Sequence, residues 1–281
     1  MKQYEKEVTN LTLLQTFCKK NALVLFFVLN YALMTIAVVL KILLGPFFPE
    51  ILFWIISVWS PTISAALLSG LIGGWGQVKS WLKGFTRWRV GIQWYFAAFF
   101  IMLGPLLIAL VYNLIGGESP GITPGLTLPI LLFNLGFSFL SGPLSEEPGW
   151  RGFALPRLQA RFGALTSSII LGIIWAFWHL PLYFVEPRLP LYIFVPLVLV
   201  ITILMTWVYN NSKGSLILTI IMHFSFNFDM AFLVGYLGLL PQMVFYVSGS
   251  IAIGIYLIAV IWYAGPKKLS RKPELEIPRI P

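Results

Sequence analysis

Charge is scarce in this chain: Asp, Glu, Lys and Arg make up only 10% of its 281 residues, against roughly 25% in soluble globular domains. Acids number ten and histidines two. With 58% hydrophobic residues, 16% aromatics and a mean hydropathy of +0.86, this scarcity excludes a soluble globular enzyme, a disordered protein and a collagen-like fibre. The apolar runs reach about twenty residues instead of alternating over about ten, which excludes an outer-membrane barrel. A single cysteine, Cys18, leaves no intramolecular disulfide and no cysteine-based metal cluster. No Ala-x-Ala exit follows the first apolar run, which is also too long for a signal peptide, so it reads as a membrane anchor. The fold class expected is all-α, a polytopic membrane helix bundle.

Eight stretches have the length and composition of spans: Asn21–Leu44, Ile51–Gly74, Ile92–Ile115, Thr127–Ser145, Leu165–Phe184, Leu191–Tyr209, Ser215–Gly235 and Met243–Ala264. Glycine- and proline-bearing breaks such as Gly45-Pro46, Gly116-Gly117 and Asn210 to Gly214 separate them. Seventeen of the nineteen basic residues fall before the first span, after the second, fourth and sixth, or in the tail; only Lys41 and Arg188 fall on the other side. Basic loops face the cytoplasm, so both termini are expected there, with an even number of spans. The same rule accounts for the net charge of +9 without a nucleic-acid partner. In the loop Gln77–Gly91, Val78, Trp81, Leu82, Phe85 and Trp88 recur at helical spacing opposite Lys79, Lys83 and Arg87. That pattern predicts an amphipathic helix in the inner headgroup layer, most simply as an anchor. Gly70 and Gly74 form a GxxxG, read as helix packing. There is no internal repeat, and residues 1–281 read as one integral membrane domain.

Ionisable groups inside a bilayer are costly and are functional candidates. Glu146, Glu147 and Asp229 lie near or within spans, and both histidines, His179 and His223, fall inside them. If Ser145–Gly152 is helical, Glu147 and Arg151 pair at four residues' separation. Glu146 is then turned about 100° away, toward the bundle and free to act as a general base. Pro148 either breaks this helix or sits in the first turn of one capped by Ser145. The competing readings are plain: a charge cluster at the cytosolic end for the glutamates, a packing histidine at 179, and an interhelical polar clamp for His223 and Asn227, four apart on one face. Asp229 lies about 200° round from Asn227 and reads as a separate packing or hydration contact. Together, Glu146, His179, His223 and Asn227 compose a hydrolytic site, a carboxylate and an imidazole for water and an imidazole and an amide for the oxyanion. Glu146, His179 and His223 are equally the ligand set of a catalytic zinc with an open position, and the sequence does not separate the two. By rise per residue, His223 lies about 12 Å and His179 about 21 Å from the cytosolic ends of their spans. A later start for the fifth helix, with Glu146 inside a longer fourth, would bring them together.

Glu146-Glu147-x-x-x-Arg151, Trp175-x-x-x-His179 and His223-x-x-x-Asn227 resemble the EExxxR, FxxxH and HxxxN/D motifs of the CAAX protease and bacteriocin-processing (CPBP, or Abi) membrane proteins. The stretch Glu-Glu-Pro-Gly-Trp-Arg-Gly-Phe-Ala-Leu-Pro-Arg-Leu is similar to the bacterial branch, and the resemblance covers about Leu128–Gly235. It departs from the pattern at Trp175, where the family usually has Phe. The resemblance implies an eight-span intramembrane endopeptidase of a bacterial cytoplasmic membrane. Glu146 and His179 would activate water, His223 and Asn227 would bind the oxyanion, and Glu147 and Arg151 would support the site. The family carries the label metalloprotease, so a divalent metal such as zinc on Glu146, His179 and His223 is an expectation. Its substrates are membrane-associated proteins or peptides, prenylated or bacteriocin-like. The rival readings are a proton-coupled transporter and a non-catalytic immunity or scaffold protein. The ionisable groups all follow Pro143, without the matching halves that transporters show.

Overall fold

A computed structural model describes residues 12–280 as a bundle of helices, with no strand among the described residues. Hydrocarbon offers the backbone no hydrogen-bond partners, so long apolar segments close their bonds within themselves as helices. Residues 12–20 are helical and lead into α1 (Ala22–Leu44); α2 (Glu50–Ser57), α3 (Ser60–Leu82) and α4 (Ile92–Leu114) follow. The fourth span comprises α5 (Leu128–Leu140), α6 (Pro143–Gly149), a π-helical turn over Trp150–Ala154, and α7 (Leu155–Gln159). Beyond it come α8 (Ala164–Trp178), α9 (Leu191–Asn211), α10 (Leu216–Phe228) with a π-helical extension over Asp229–Tyr236, and α11 (Gln242–Ala264). Six helices are long and apolar enough to cross a membrane, and eight if each of two bent pairs counts as one span. This is an integral membrane protein. The expected count of eight corresponds to the second tally.

The bends have local causes. α2 meets the helix beginning at Ser60 at 56°, where Pro61 lacks an N–H and disfavours helical geometry at the residue before it. α4 bends by 52° about residue 102, one turn before Pro105, whose missing N–H leaves the Ile101 carbonyl without its helical donor. Two expectations change. The amphipathic helix over Gln77–Gly91 is not a separate element. α3 breaks at Gly73–Gly74, with Gly74 at φ 59°, and its last part continues through Leu82 into a short 3₁₀ turn over Lys83–Thr86. Beyond that break Trp81 is 9% exposed and donates its indole N–H to the Pro148 carbonyl at 2.9 Å. It therefore packs into the bundle, where a polar partner is available; Trp88 stays exposed.

The fourth span runs past Ser145 to Gln159, so the two glutamates and Arg151 lie within the bundle. Glu147 and Arg151 have no exposed surface, which overturns the reading of a cytosolic-end charge cluster. α8 begins at Ala164, so the later start offered for the fifth helix does not occur. It is the longer fourth span that reaches the far end of α8. The tail folds back on the bundle: the Pro266 and Lys267 carbonyls accept the N–H groups of Leu165 and Ala164 at 3.0 and 2.7 Å, satisfying donors that a helix start leaves open. Lys41 and Arg188, the two cations on the minority side, pair with Glu50 and Glu186 respectively.

Candidate active site

The element that carries the two glutamates is built around a proline. α6 starts with Pro143 in its first turn, after Gly142, where a missing N–H costs nothing. Ser145 is not the cap; its hydroxyl donates to the Gly142 carbonyl at 3.0 Å. Pro148 lies inside the helix and cannot donate to the Leu144 carbonyl. The chain accommodates it by widening into the π turn that begins at Trp150, whose N–H is shared by the Glu146 and Glu147 carbonyls. Pro148 thus neither ends the helix nor starts it. Gly149 permits close approach to α3, since a Cβ there would lie 2.5 Å from the Pro61 backbone.

The expected pairing holds. Arg151 Nη1 donates to Glu147 Oε1 at 2.8 Å, with both side chains fully buried. The same Oε1 receives His223 Nδ1 at 2.8 Å, so Glu147 ties α6 to α10. The Trp175 ring lies 4.3 Å from the Arg151 guanidinium, a cation–π contact in a dry site. Glu147 Oε2 and the Arg151 Nε and Nη2 atoms have no hydrogen-bond partner among the described residues.

Glu146 turns the other way, as its phase on the helix requires. It is 4% exposed, and its Oε2 accepts the Trp175 indole N–H at 2.6 Å. Its Oε1 carries no hydrogen bond among the described residues; a Cβ placed on Gly142 would sit 3.9 Å from Glu146 Oε1 and 3.1 Å from Asn227 Nδ2, so both side chains flank Gly142. His179 ends α8, with Nδ1 2.9 Å from the Trp175 carbonyl. A carbonyl only accepts, so Nδ1 carries the proton and Nε2 keeps a lone pair when the ring is neutral. By the same logic, a neutral His223 that donates Nδ1–H to the Glu147 carboxylate also has a lone pair at Nε2. It becomes a donor there only as an imidazolium.

Trp175 is the hub. Its ring centroid lies 6.0 Å from that of His179 and 5.1 Å from that of His223, while its N–H holds Glu146 and its face covers Arg151. Glu146, Glu147, Arg151, His179 and His223 are thereby gathered about one indole, and Asn227 joins through Gly142. No direct hydrogen bond links His179 to Glu146, His223 or Asn227 among the described residues. The Asp229 side chain lies outside the described residues. Sequence reasoning treated Trp175 as a mere aromatic exchange; the signal it missed was that Trp, unlike Phe, has an N–H that must find a partner when buried. Trp81, which holds the Pro148 carbonyl, was missed for a similar reason.

Among the described residues, no three His, Cys, Asp or Glu side chains are grouped closely enough to hold a metal ion. One donor on each expected ligand is already engaged: Glu146 Oε2 by Trp175, His179 Nδ1 by the Trp175 carbonyl, His223 Nδ1 by Glu147. These bonds leave Glu146 Oε1 and the Nε2 atoms of both histidines open, the atoms a zinc ion would need, although the three side chains are not drawn together as a ligand set.

Changing Trp175 to Phe keeps the ring over Arg151 and removes only the N–H. A hydrogen bond to a charged group contributes about 1.5–3 kcal/mol to stability, so this variant is expected to unfold at a clearly lower temperature. An unchanged unfolding temperature in Trp175→Phe would mean that Glu146 is held by other contacts.

Residues 128–228 match the family model for Rce1-like type II CAAX prenyl endopeptidases. A stretch of 107 residues is 36% identical to the protein named CAAX prenyl protease 2 of Methanococcus maripaludis, covering 34% of this chain. The match spans 40% of that relative's length. All six motif residues, from Glu146 to Asn227, lie within the matched region. The stretch 128–228 is thus similar to Rce1-like type II CAAX prenyl endopeptidases.

Proposed function

We propose that this protein is an intramembrane endopeptidase that hydrolyses a peptide bond of a membrane-associated protein or peptide. The observation that carries the reading is the gathering of a buried carboxylate, two imidazoles and an amide, drawn from α6, the end of α8 and α10, around Trp175 and Gly142. Glu146 Oε1 takes a proton from water, assisted by the lone pair of His179 Nε2, and the oxygen attacks the scissile carbonyl. The tetrahedral oxyanion receives the Asn227 amide N–H and the Nε2–H of an imidazolium at His223, whose charge the Glu147 carboxylate balances. Glu146 then passes its proton to the leaving amine. Arg151 holds Glu147 in place.

The names carried by the family model and the relative favour hydrolysis over a transporter or a silent scaffold. A prenylated substrate is the finer proposal. An apolar cavity of about 90 Å³ supports it. It is lined by Phe100, Gly104, Leu197, Phe226 and Tyr256 among others, and two of these are close in the chain to residues at the site. Phe226 adjoins Asn227, and Leu197 lies one turn from Phe194, whose ring packs edge-on to His179 at 5.0 Å. The excess of basic residues at one end supports cytoplasmic termini. Mass-spectrometric profiling of purified protein against prenylated and unmodified peptides tests the assignment. Cuts made by the wild type and absent with Glu146→Ala are expected, with prenylated peptides preferred. Identical profiles for the two proteins would overturn it. Cleavage that stops with a chelator and returns with zinc would place a metal in the reaction.

A further inference from the structure

At the basic end of the bundle, away from Glu146, a cleft of about 260 Å³ lies between the start of α1 and α7. Three cations line it, Lys19, Arg157 and Arg161, together with Ala22, Leu23, Ala160 and Ile280. No acidic residue among the described residues does. Lys19 and Arg161 are exposed, but Arg157 is only 7% exposed. Its guanidinium carbon sits 3.6 Å from the Phe153 ring centroid, and its one hydrogen bond among the described residues runs from Nη1 to the Phe153 carbonyl at 2.8 Å. It has no carboxylate partner among the described residues. A nearly buried cation without an anion is costly, and here two further cations face the same space.

The walls are fixed. Ile280 N–H donates to the Pro156 carbonyl at 3.1 Å, and Gln159 Nε2 to the Pro278 carbonyl at 3.3 Å, pinning the tail to α7. We infer that this cleft binds the phosphoryl headgroup of an anionic phospholipid, with Arg157 as the buried anchor. Lys19 and Arg161 close over the phosphate from the rim. Ala22 and Leu23, the first residues of α1, offer apolar surface where the chain enters the span, which suits the glycerol and upper acyl region of a lipid and has no use for free phosphate. Basic pockets between spanning helices are suited to such headgroups.

Native mass spectrometry of the full chain in detergent tests this, with phosphatidylglycerol, phosphatidylcholine and inorganic phosphate as probes. Phosphatidylglycerol is expected to be retained in preference to phosphatidylcholine. Arg157 is packed into the fold, so the informative variant is Lys19→Gln with Arg161→Gln, at two exposed positions. A cation beside a charged headgroup contributes a factor of about five, so the pair should weaken retention about twenty-five-fold. Lys79→Gln with Lys83→Gln removes the same charge elsewhere and should leave retention unchanged. Equal retention of the two lipids, or equal loss in both double variants, would overturn the site. Displacement of the lipid by inorganic phosphate at matched concentration would overturn its assignment to a lipid.

Discussion

Glu146→Gln is expected to abolish cleavage while leaving the protein folded. The amide keeps the size of the carboxylate, and its oxygen still accepts the Trp175 N–H, so the hydrogen bond at 2.6 Å survives. What it loses is the ability to take a proton from water at Oε1. General-base groups contribute typically 10²–10⁴-fold, and a loss in that range is expected in kcat, with KM little changed because the residue binds no part of the substrate that persists through the reaction. Retained activity in this variant would remove Glu146 from the role of base, and with it the mechanism proposed above. A variant that is inactive and also unfolded would be uninformative, so thermal unfolding in detergent is measured alongside. Because the amide replaces the carboxylate without adding volume, the unfolding temperature should stay near that of the wild type.

The largest structural effect should come from Arg151. Both it and Glu147 are fully buried, and their contact at 2.8 Å joins the π turn to α6. Arg151→Met leaves the Glu147 carboxylate in the bundle with His223 as its one remaining partner. Breaking a buried pair from one side costs about 3–5 kcal/mol, which should appear as a sharply lower unfolding temperature. The double variant Glu147→Gln with Arg151→Met removes both charges and is expected to regain most of that stability, since apolar or neutral replacements of both members are often near neutral. It should not regain activity, because a neutral amide does not stabilise the imidazolium of His223. If Arg151→Met unfolds like the wild type, the pair is structurally idle and Glu147 is held by His223 instead.

Much of this site was legible in the chain itself. Spacing at three or four residues is enough to put Glu147 against Arg151 and to turn Glu146 away, and the structure has both features. The scarcity of ionisable groups did the rest: with two histidines, both within apolar runs, few constellations were open. Less legible were features that depend on how a helix ends or bends. Pro148 suggested a break or a first turn; the chain instead widens into a π turn, because neighbouring groups can absorb the missing hydrogen bond. The spacing of Trp81 and Trp88 predicted a headgroup-layer helix, and only the break at Gly73–Gly74 allowed Trp81 to join the bundle. The fourth span was placed as ending near Ser145, since the charges after it resemble a loop; mutual pairing in the interior lets the helix carry them onward to Gln159.

Composition and periodicity, then, determined the class: an all-helical membrane bundle, with spans where apolar runs meet the thickness of a bilayer, and a motif-bearing segment after Leu128. These follow from local physics, because a backbone in lipid must satisfy its own hydrogen bonds and a pair four residues apart must share a face. The tertiary structure alone decided that one indole, Trp175, holds Glu146 by its N–H, covers Arg151 with its face and lies between the two histidines. It also decided that Arg157 faces a cleft beside Lys19 and Arg161. Both depend on contacts between residues far apart in the chain, set by helix packing and bends, and no spacing along the sequence encodes them.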